Sequence, residues 1–498
     1  MKRSFLALAA AFLLLLIAGV GTATANPPAS QNSGQTAAGE QNSGAAAWTA
    51  QQEPRNENSP VRVLSPGDDG SVSQSNEASS DATAANLNAT EQTADQAQAG
   101  GSGLQAIGQS AMNDQDAFAL AFTLQEGASN ENAPIRVLSP GDAGSVSQSN
   151  DASSDASAGN TNLTEQAADQ AQAGNSCKCG SNGTQIIGQS ALSEQEAAAS
   201  SMTVQEKPSN SNAPVRVLSP GDDGRVAQKN EASSNATAGN LNATKQTADQ
   251  AQAGGSGIQA IGQSATNDQD AFALGLTYQK GASNENAPIR VLSPGDGGSV
   301  SQSNVASSDA SAGNINWTEQ TADQAQAGNS CKCGSGIQAI GQSSKNHQGA
   351  VALAATQQLG LEPPCKCKDD SRTGNSNMPV RVLSSGNDGS VRQANMATSH
   401  SLAANWNATK QAASQIQPSS CLCMEPNRIQ VIGQLDDSRQ FAVGHAATHQ
   451  LDASNDWAPD RKKSPGTNGP LNQMGMKAAH DASGSKTATD QSRNQVER

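Results

Sequence analysis

The stretch from residue 71 to residue 96 separates charged from uncharged side chains with a period of two residues. Its charged residues, Glu77, Asp81, Glu91 and Asp95, all fall in one phase. The other phase holds Asn, Gln, Ala, Ser, Thr and Val. Period two is typical of a β-strand, because successive side chains point to opposite faces. The uncharged face is unusual, since it consists of amides and small residues and contains no Leu or Ile.

Four further copies of this stretch follow, and no charged residue enters the amide phase in any of the five. Glu91 of the first copy is replaced by Lys245 in the third, so the sign of the charge changes but not its face. If copies stack, identical amides at matching positions form hydrogen-bonded ladders. The predicted ladder residues are Gln74, Asn76, Asn86, Asn88, Gln92, Gln148, Asn150, Asn160, Asn162, Gln166, Gln228, Asn230, Asn240, Asn242, Gln246, Gln302, Asn304, Asn314, Asn316, Gln320, Gln393, Asn395, Asn405, Asn407 and Gln411.

Helix and disorder are the two alternatives to a strand. Ala, Glu and Gln favour helix, but the like-charge pairs Glu77/Asp81 and Glu91/Asp95 at i, i+4 weaken one, and no apolar stripe at helical spacing exists. The small content of large aliphatic residues is typical of disorder, whereas a net charge of −15 over 498 residues is low for a solvating chain. The pattern therefore favours an all-β fold, either a repeat β-solenoid or a cross-β stack with Asn/Gln/Ala ladders, flanked by disordered segments.

The repeat is marked by Pro-Val-Arg-Val-Leu-Ser-Pro-Gly, first seen at residues 60–67. Equivalent segments recur at steps of 74, 80, 74 and 91 residues, which suggests that a pair of units was itself duplicated. An alternating stretch of about 29 residues exceeds ordinary strand length, so we expect corners near Ser79-Ser80 and Ala84-Ala85. A second alternating stretch runs from Gln105 to Ala121.

The chain divides into a targeting segment, repeats and tails. Residues 1–25 have a basic start, an apolar core and a small-x-small cleavage site, which predicts a signal peptide and a secreted or cell-surface product. No later run is long enough to span a bilayer. The predicted divisions are a signal peptide (1–25), a disordered linker (26–58), five repeats (59–132, 133–212, 213–286, 287–377 and 378–451) and a disordered polar tail (452–498).

Gln74-x-Asn76 and Asn88-x-x-x-Gln92, with their counterparts in each unit, resemble the repeats of curli-type functional amyloid subunits. The resemblance covers about residues 60–440. It departs in unit length and in aromatic content, which is only 2% here. It implies a stacked β-solenoid with Gln/Asn ladders and an extracellular fibre or matrix role.

All eight cysteines occur in C-x-C pairs. An even number in an exported chain favours disulfides, and eight cysteines allow 105 connectivities. Paired thiolates also suit soft metal ions, so metal binding stays open as the rival interpretation. The disulfide candidates are Cys177, Cys179, Cys331, Cys333, Cys365, Cys367, Cys421 and Cys423.

No catalytic, cofactor or metal site is predicted. His445 and His449 have i, i+4 spacing but lack the Glu of a zinc-protease helix, and a pI near 4.8 argues against nucleic acid. Asn-x-Thr sequons allow glycosylation, although five of them fall in the ladder phase, and Asn182 and Asn235 lie outside it.

Two function classes remain. The first is a structural protein of a surface, sheath or matrix that self-associates by β-stacking. The alternative is an adhesin or binding module that displays a repetitive charged face to cell-surface components, with Trp317 and Trp406 as candidate contact residues.

Overall fold

A computed structural model describes residues 30–99, 103–173, 183–253, 257–327, 336–360, 374–417, 429–451 and 453–497. Within these ranges the chain forms strands, turns and loops and no helix. The strands make four parallel sheets of six strands each. The predicted all-β stacked-repeat fold is therefore confirmed.

Two sheets, A and D, are built from long strands. Sheet A contains β1 (Gln31–Gln52), β5 (Leu104–Glu126), β9 (Thr184–Glu206), β13 (Ile258–Lys280), β17 (Ile337–Leu359) and β21 (Ile429–Leu451). Sheet D contains β4 (Val72–Ala99), β8 (Val146–Ala173), β12 (Val226–Ala253), β16 (Val300–Ala327), β20 (Val391–Gln417) and β24 (Leu471–Glu497). The alternating stretches of the sequence are these strands.

Sheets B and C are short and lie in the bend between A and D. Sheet B contains β2 (Arg55–Asn58), β6 (Ser129–Asn132), β10 (Ser209–Asn212), β14 (Ser283–Asn286), β18 (Gly374–Asn377) and β22 (Ser454–Trp457). Sheet C contains β3 (Val61–Val63), β7 (Ile135–Val137), β11 (Val215–Val217), β15 (Ile289–Val291), β19 (Val380–Val382) and β23 (Asp460–Lys462).

One pass through sheets A, B, C and D makes a rung, and the chain makes six. Each strand pairs only with the equivalent strands of the rungs above and below, in parallel and in register, as in Asn160↔Asn240↔Asn314. The two long strands of a rung thus form the facing arms of an arch. The rungs are residues 31–99, 104–173, 184–253, 258–327, 337–417 and 429–497.

The bend between sheets C and D depends on left-handed backbone. Leu64 has φ +52° and Gly67 has φ +129°, and the equivalent positions of the other rungs repeat both. At the glycine position of rungs 2 to 6 a Cβ atom would overlap the carbonyl oxygen of the preceding rung's glycine. Only glycine gives this close approach at that φ, which explains why Pro-Gly recurs so regularly there.

The interior between sheets A and D is lined by small apolar residues and amides. Alanine columns such as Ala82–Ala156–Ala236–Ala310 face columns such as Ala119–Ala199–Ala273–Ala352, all buried. A smaller cluster packs the isoleucine column that includes Ile187 against alanines of sheet D. Because alanine is so small, the two sheets can approach closely, and their amides can reach across the gap.

The corners expected near Ser79-Ser80 and Ala84-Ala85 are wrong. β4 runs for 28 residues without a break, and exposed and buried positions alternate straight through both sites. The arm is about 90 Å long at ~3.3 Å per residue. Ordinary strands are short because few cores are that wide. Here each inward residue of β4 pairs with an identical residue of β8, so the strand continues as long as the alternation does.

The predicted disordered linker (26–58) and tail (452–498) are also corrected. From residue 31 the linker forms β1 and β2, and its glutamines pair with those of β5, for example Gln35↔Gln109. Most of the tail forms β22, β23 and β24. Both segments are polar. β1 keeps the glutamine spacing of sheet A, and β24 keeps Gln473 and Gln491 but has Gly475, Ser485 and Thr487 at the asparagine positions. An adjacent rung supplies the pairing partner that each strand lacks alone. The chain therefore makes six rungs, where five repeats were predicted.

No helix in these ranges could cross a membrane. The predicted signal peptide (1–25) lies outside the described residues.

Candidate functional site

The predicted ladder amides of sheet D stand in five unbroken columns through rungs 1 to 5, and Gln96 starts a sixth. In each predicted column the side-chain amide of one rung donates to the amide oxygen of an adjacent rung, over 2.6–3.1 Å. The structure thus brings all 25 predicted ladder residues together. The columns start at Gln74, Asn76, Asn86, Asn88 and Gln92.

The Asn and Gln columns have opposite directions. Asn76 Nδ2 donates to Asn150 Oδ1 in the following rung at 2.9 Å, whereas Gln148 Nε2 donates to Gln74 Oε1 in the preceding rung at 2.8 Å. The other ladder columns follow the same rule by residue type. Rung 1 therefore presents asparagines whose Oδ1 has no donor from a preceding rung and glutamines whose Nε2 has no acceptor in one, whereas in rung 6 Gly475, Ser485 and Thr487 replace the asparagines of sheet D.

In the columns that start at Asn86 and Gln92, the second N–H crosses the gap to a backbone carbonyl of sheet A, and in the Gln74 column it reaches a carbonyl of sheet B. Asn240 donates to the backbone carbonyl of Asp270 at 2.8 Å, and Gln109 donates to that of Ala167 at 2.9 Å. One amide oxygen and two N–H groups are thus all used, as burial requires. The same side chains hold rung to rung and sheet to sheet.

Further ladders run through sheets A and B, where the sequence analysis assigned none. Gln109 donates to Gln35 at 2.9 Å, and Asn56 donates to Asn130 at 2.8 Å. The repeated spacing of Gln in the second alternating stretch was the available signal for sheet A. The four-residue strands of sheet B are too short to show a period. These columns start at Gln31, Gln35, Gln41, Gln51, Asn56 and Asn58.

A column of arginines in sheet C was also missed. Its buried members, Arg136, Arg216, Arg290 and Arg381, are each 2% exposed. Arg136 donates to the carbonyls of Gly141 and Gly67, both at 2.6 Å, and so ties the loop of its own rung to that of the preceding one. The sequence signal was the Arg repeated in every Pro-Val-Arg-Val segment. The remaining members are Arg62 and Arg461.

The arginines share carboxylates in pairs. Asp223 contacts both Arg216 (3.3 Å) and Arg290 (2.6 Å), and Asp69 and Asp388 each bridge two arginines in the same way. Rungs 2 and 4 have Ala143 and Gly297 at the matching position. Burial lowers the pKa of Arg216, and Asp223 opposes that shift. One carboxylate per two rungs therefore holds the bend.

The outward faces stack like charges. Asp169, Asp249 and Asp323 lie in one column of sheet D. Burial raises the pKa of each of them. The neighbouring carboxylates in the column add to the shift at Asp169 and Asp249. The pKa of Asp155 is raised first by burial and then by Asp81 in the adjacent rung. These columns repel themselves at neutral pH.

Other predicted residues lie at scattered places. The sequon asparagines of the ladder phase, such as Asn242, are buried, whereas Asn235 is exposed on the outer face of sheet D. Trp317 and Trp406 are adjacent on that face, with ring centroids 6.3 Å apart. Asn182 lies outside the described residues, as do all eight cysteines. Within the described ranges, no group of three or more His, Cys, Asp or Glu is placed to hold a metal ion.

Replacing Asn240 with Asp is expected to destabilise the stack by about 3–5 kcal/mol, because it leaves a buried unpaired charge. The new carboxylate would face the carbonyl of Asp270 and the Oδ1 of Asn314, to which Asn240 now donates at 2.8 and 2.9 Å. Urea or thermal unfolding followed by circular dichroism measures the loss.

The matched control for Asn240→Asp is Lys245→Gln, which also changes net charge by one unit, on the outer face. Lys245 is half-exposed and pairs with Glu165, so the loss should stay below about 1 kcal/mol. Equal destabilisation by the two variants would mean that the two phases are not two faces.

Replacing Asp223 with Asn should cost about 3–5 kcal/mol, because Arg216 and Arg290 would keep buried charges without their carboxylate. Asp222→Asn is the control. Asp222 Oδ1 accepts from the Asp296 amide, and Asn387 already fills the same role towards Thr467. That variant should change stability by less than about 0.5 kcal/mol. Similar melting temperatures for the two variants would contradict the conclusion that Arg216 and Arg290 both depend on Asp223.

Stability should rise as pH falls from 7 towards 4. Asp155, Asp169, Asp249 and Asp323 have folded pKa values above the ordinary 3.8, so at these four carboxylates the folded chain binds protons more tightly than the unfolded chain. Their stabilisation is complete below pH 3.8 and is lost as pH rises through the folded pKa values. Thermal melts across this range test it. Asp249→Asn should raise the melting temperature at pH 7 and flatten the dependence. A wild-type melting temperature that falls on acidification would refute it.

Comparison of the chain with protein-family models, curated proteins and solved structures gives no match. The likeness to curli-type subunits remains a prediction from the sequence pattern.

Proposed function

We propose that this chain is an exported structural protein of a cell surface, sheath or extracellular matrix, and that it assembles by end-to-end stacking of copies. The observation that carries the proposal is that, among the described residues, no strand pairs with the outer edge of rung 1 or of rung 6, and that the glutamine ladders and the charges of the two edges complement each other.

The unpaired edges are long. The outer side of rung 1 exposes strands of 22, 4, 3 and 28 residues, and that of rung 6 exposes strands of 23, 4, 3 and 27 residues. Such edges are templates for pairing with another chain. Rung 1 of a second copy placed on rung 6 would continue all four sheets in the same parallel register.

The amide directions support this polarity. Gln92 and Gln411 each donate a second N–H to a sheet A carbonyl of the following rung, Ser110 and Leu435 respectively. Gln491 is the equivalent residue of rung 6, and the sheet A carbonyl that it would reach in a following rung is that of Thr36 in a second copy. Thr36 pairs with Ser110 and so occupies the same column. Continuing the sheet A ladder by one rung brings Gln41 of that copy over Gln440.

Charge is also distributed by end. The described residues of rungs 1 and 2 hold 18 Asp and Glu against 3 Lys and Arg, whereas rungs 5 and 6 hold 8 against 11 and all five histidines. End-to-end stacking brings the acidic end of one copy to the basic end of another. Glu40 would meet Arg439, which occupies its column in rung 6.

Rung 6 is the least regular rung. Asp436, Lys477 and Asp481 lie in its inward phase, where the other rungs carry no charge. Asp436 accepts from Thr489, and Asp481 accepts from Ser401, so both carboxylates are held within the stack. A terminal rung of this kind is also what a capping repeat requires. A capping role for rung 6 is therefore the alternative to end-to-end stacking, because a cap would prevent a second copy from pairing there.

The experiment compares two adjacent variants of rung 1. Gln41→Glu replaces a ladder amide at the open end, and Asn42→Asp makes the same chemical change on the outer face. Stacking predicts fibres with a ~4.8 Å meridional spacing for the wild type. The first variant should slow or prevent their formation, and the second should leave it unchanged. A wild type that stays monomeric under assembly conditions would identify rung 6 as a cap and refute the proposal.

A binding module is the second candidate. The observation that favours it is the Trp317–Trp406 pair on sheet D, since aromatic rings at a surface are common contact residues. Retention of a cell-surface component by the wild type and its loss in Trp317→Ser/Trp406→Ser would support this function.

A further inference from the structure

The outer face of sheet A carries an uncharged area, the apolar patch. It consists of outward positions 44, 46, 48 and 50 of β1 and the residues paired with them in the other five strands. None of these 24 positions holds Asp, Glu, Lys or Arg. The neighbouring columns, which begin at Glu40 and Asn42, are acidic in rungs 2 to 4. The area is thus free of Asp, Glu, Lys and Arg in all six rungs, although the rest of the chain is strongly polar.

Aromatic residues are concentrated on this face. All four phenylalanines beyond residue 29 and the only tyrosine of the chain point outward from sheet A, and all but Phe441 are in the patch. Trp48 packs edge-on against Phe122 and is 76% exposed, Phe118 is 50% exposed and Phe272 is 38% exposed. Large apolar side chains stay this exposed at interfaces more often than elsewhere.

The patch is large enough for a stable interface. Four columns about 6.7 Å apart and six rungs about 4.8 Å apart cover roughly 750 Å². Two such faces in contact would bury on the order of 1,500 Å², within the range of about 1,200–2,000 Å² for specific interfaces.

We propose that the occupant is the same face of a second copy, related by a twofold axis along the strands. The two stacks then run in opposite directions, and rung 1 faces rung 6, rung 2 faces rung 5 and rung 3 faces rung 4. This contact is lateral and does not require end-to-end stacking. A second copy fits because its rungs have the same spacing along the stack. Each row of side chains on one face therefore lies opposite a row on the other face.

Side-chain sizes complement each other in this arrangement. In the column that starts at Gly44, Ala198 of rung 3 faces Phe272 of rung 4. In the column of Trp48, that residue faces an alanine of rung 6, and Phe122 of rung 2 faces Ala355 of rung 5. In these two columns Phe or Trp thus opposes Ala in three of the six rung pairs, and Gly44 opposes Val443 in a fourth. A parallel arrangement would pair each rung with itself and lose this relation.

The charges beside the patch also match. In the column next to the bend, Glu206 of rung 3 faces Lys280 of rung 4. On the other side, Glu40 of rung 1 faces Arg439 of rung 6, and Asp114 of rung 2 faces His347 of rung 5. Two like-charge pairs remain on this side, Glu194 with Asp268 and, in the column next to the patch, Glu196 with Asp270. The antiparallel pairing places the acidic end of each stack beside the basic end of the other.

The test compares two double variants of the full mature chain. Phe272→Lys/Leu276→Lys puts two charges in the patch, and Leu241→Lys/Ile315→Lys puts two in the outer face of sheet D. All four positions are at least partly exposed, so each fold should persist, and thermal melts check this. The mass per length of unstained fibres is measured by scanning transmission electron microscopy. A single stack holds one chain per ~29 Å, from six rungs at ~4.8 Å.

Lateral pairing predicts two chains per ~29 Å for the wild type and the sheet D variant, and one for the patch variant. A single-stack wild type, or equal values for the two variants, would overturn the inference. If no fibres form, sedimentation velocity decides it. A wild-type dimer that only the patch variant dissociates supports pairing, and a monomer refutes it. Long single stacks would leave the end-to-end proposal standing while the lateral one fails.

Lys280→Glu tests the direction of pairing. The new carboxylate would lie against Glu206 of the second copy and should weaken pairing, and Glu206→Lys in the same chain should restore it. Failure of the double exchange to restore pairing would overturn the antiparallel arrangement.

Discussion

The carboxamide group, with one acceptor and two N–H donors, is the interaction on which this structure depends. Along the stack it donates one N–H to the amide on one side and accepts an N–H from the amide on the other side, as Asn240 does with Asn314 and Asn160. In columns such as that of Asn240, the second N–H reaches a backbone carbonyl of the facing sheet, here that of Asp270. A buried amide satisfied in this way avoids the cost of an unpaired polar group. Asp and Glu have no N–H to give, which explains their exclusion from this phase in the first five rungs.

That requirement explains the rest of the interior. An amide can reach the opposite backbone only if the sheets are close, and columns such as Ala119–Ala199–Ala273–Ala352 keep them close. Large aliphatic side chains in the middle of the arms would separate the sheets and break the crossing bonds. They are instead found on the outside, on the outer faces of sheets A and D. The usual arrangement of an apolar interior and a polar surface is thus partly reversed.

The all-β fold and the ladder positions of sheet D were predictable from the sequence. The alternation of residues 71–96 is a local property, and the alignment of the copies gives the register in which the strands pair. The straight 28-residue arms were not predictable, since the corner prediction used ordinary strand lengths. β1 and β24 were assigned to disorder because their compositions are polar, and composition alone does not reveal a neighbouring rung. The pairing of one Asp with two arginines could not be derived from spacing, because it depends on the loop bringing Asp223 between Arg216 and Arg290.

That shared carboxylate has a consequence for how such a chain can change its length. Removing rung 3 alone would leave Arg290 next to Arg136 without Asp223 between them, and two consecutive rungs would lack a carboxylate. Removing rungs 3 and 4 together would leave the order of arginines and carboxylates in the bend intact. Insertions and deletions should therefore be tolerated in multiples of two rungs, and the steps of 74, 80 and 74 residues that join the first four rungs fit a unit that was duplicated as a pair.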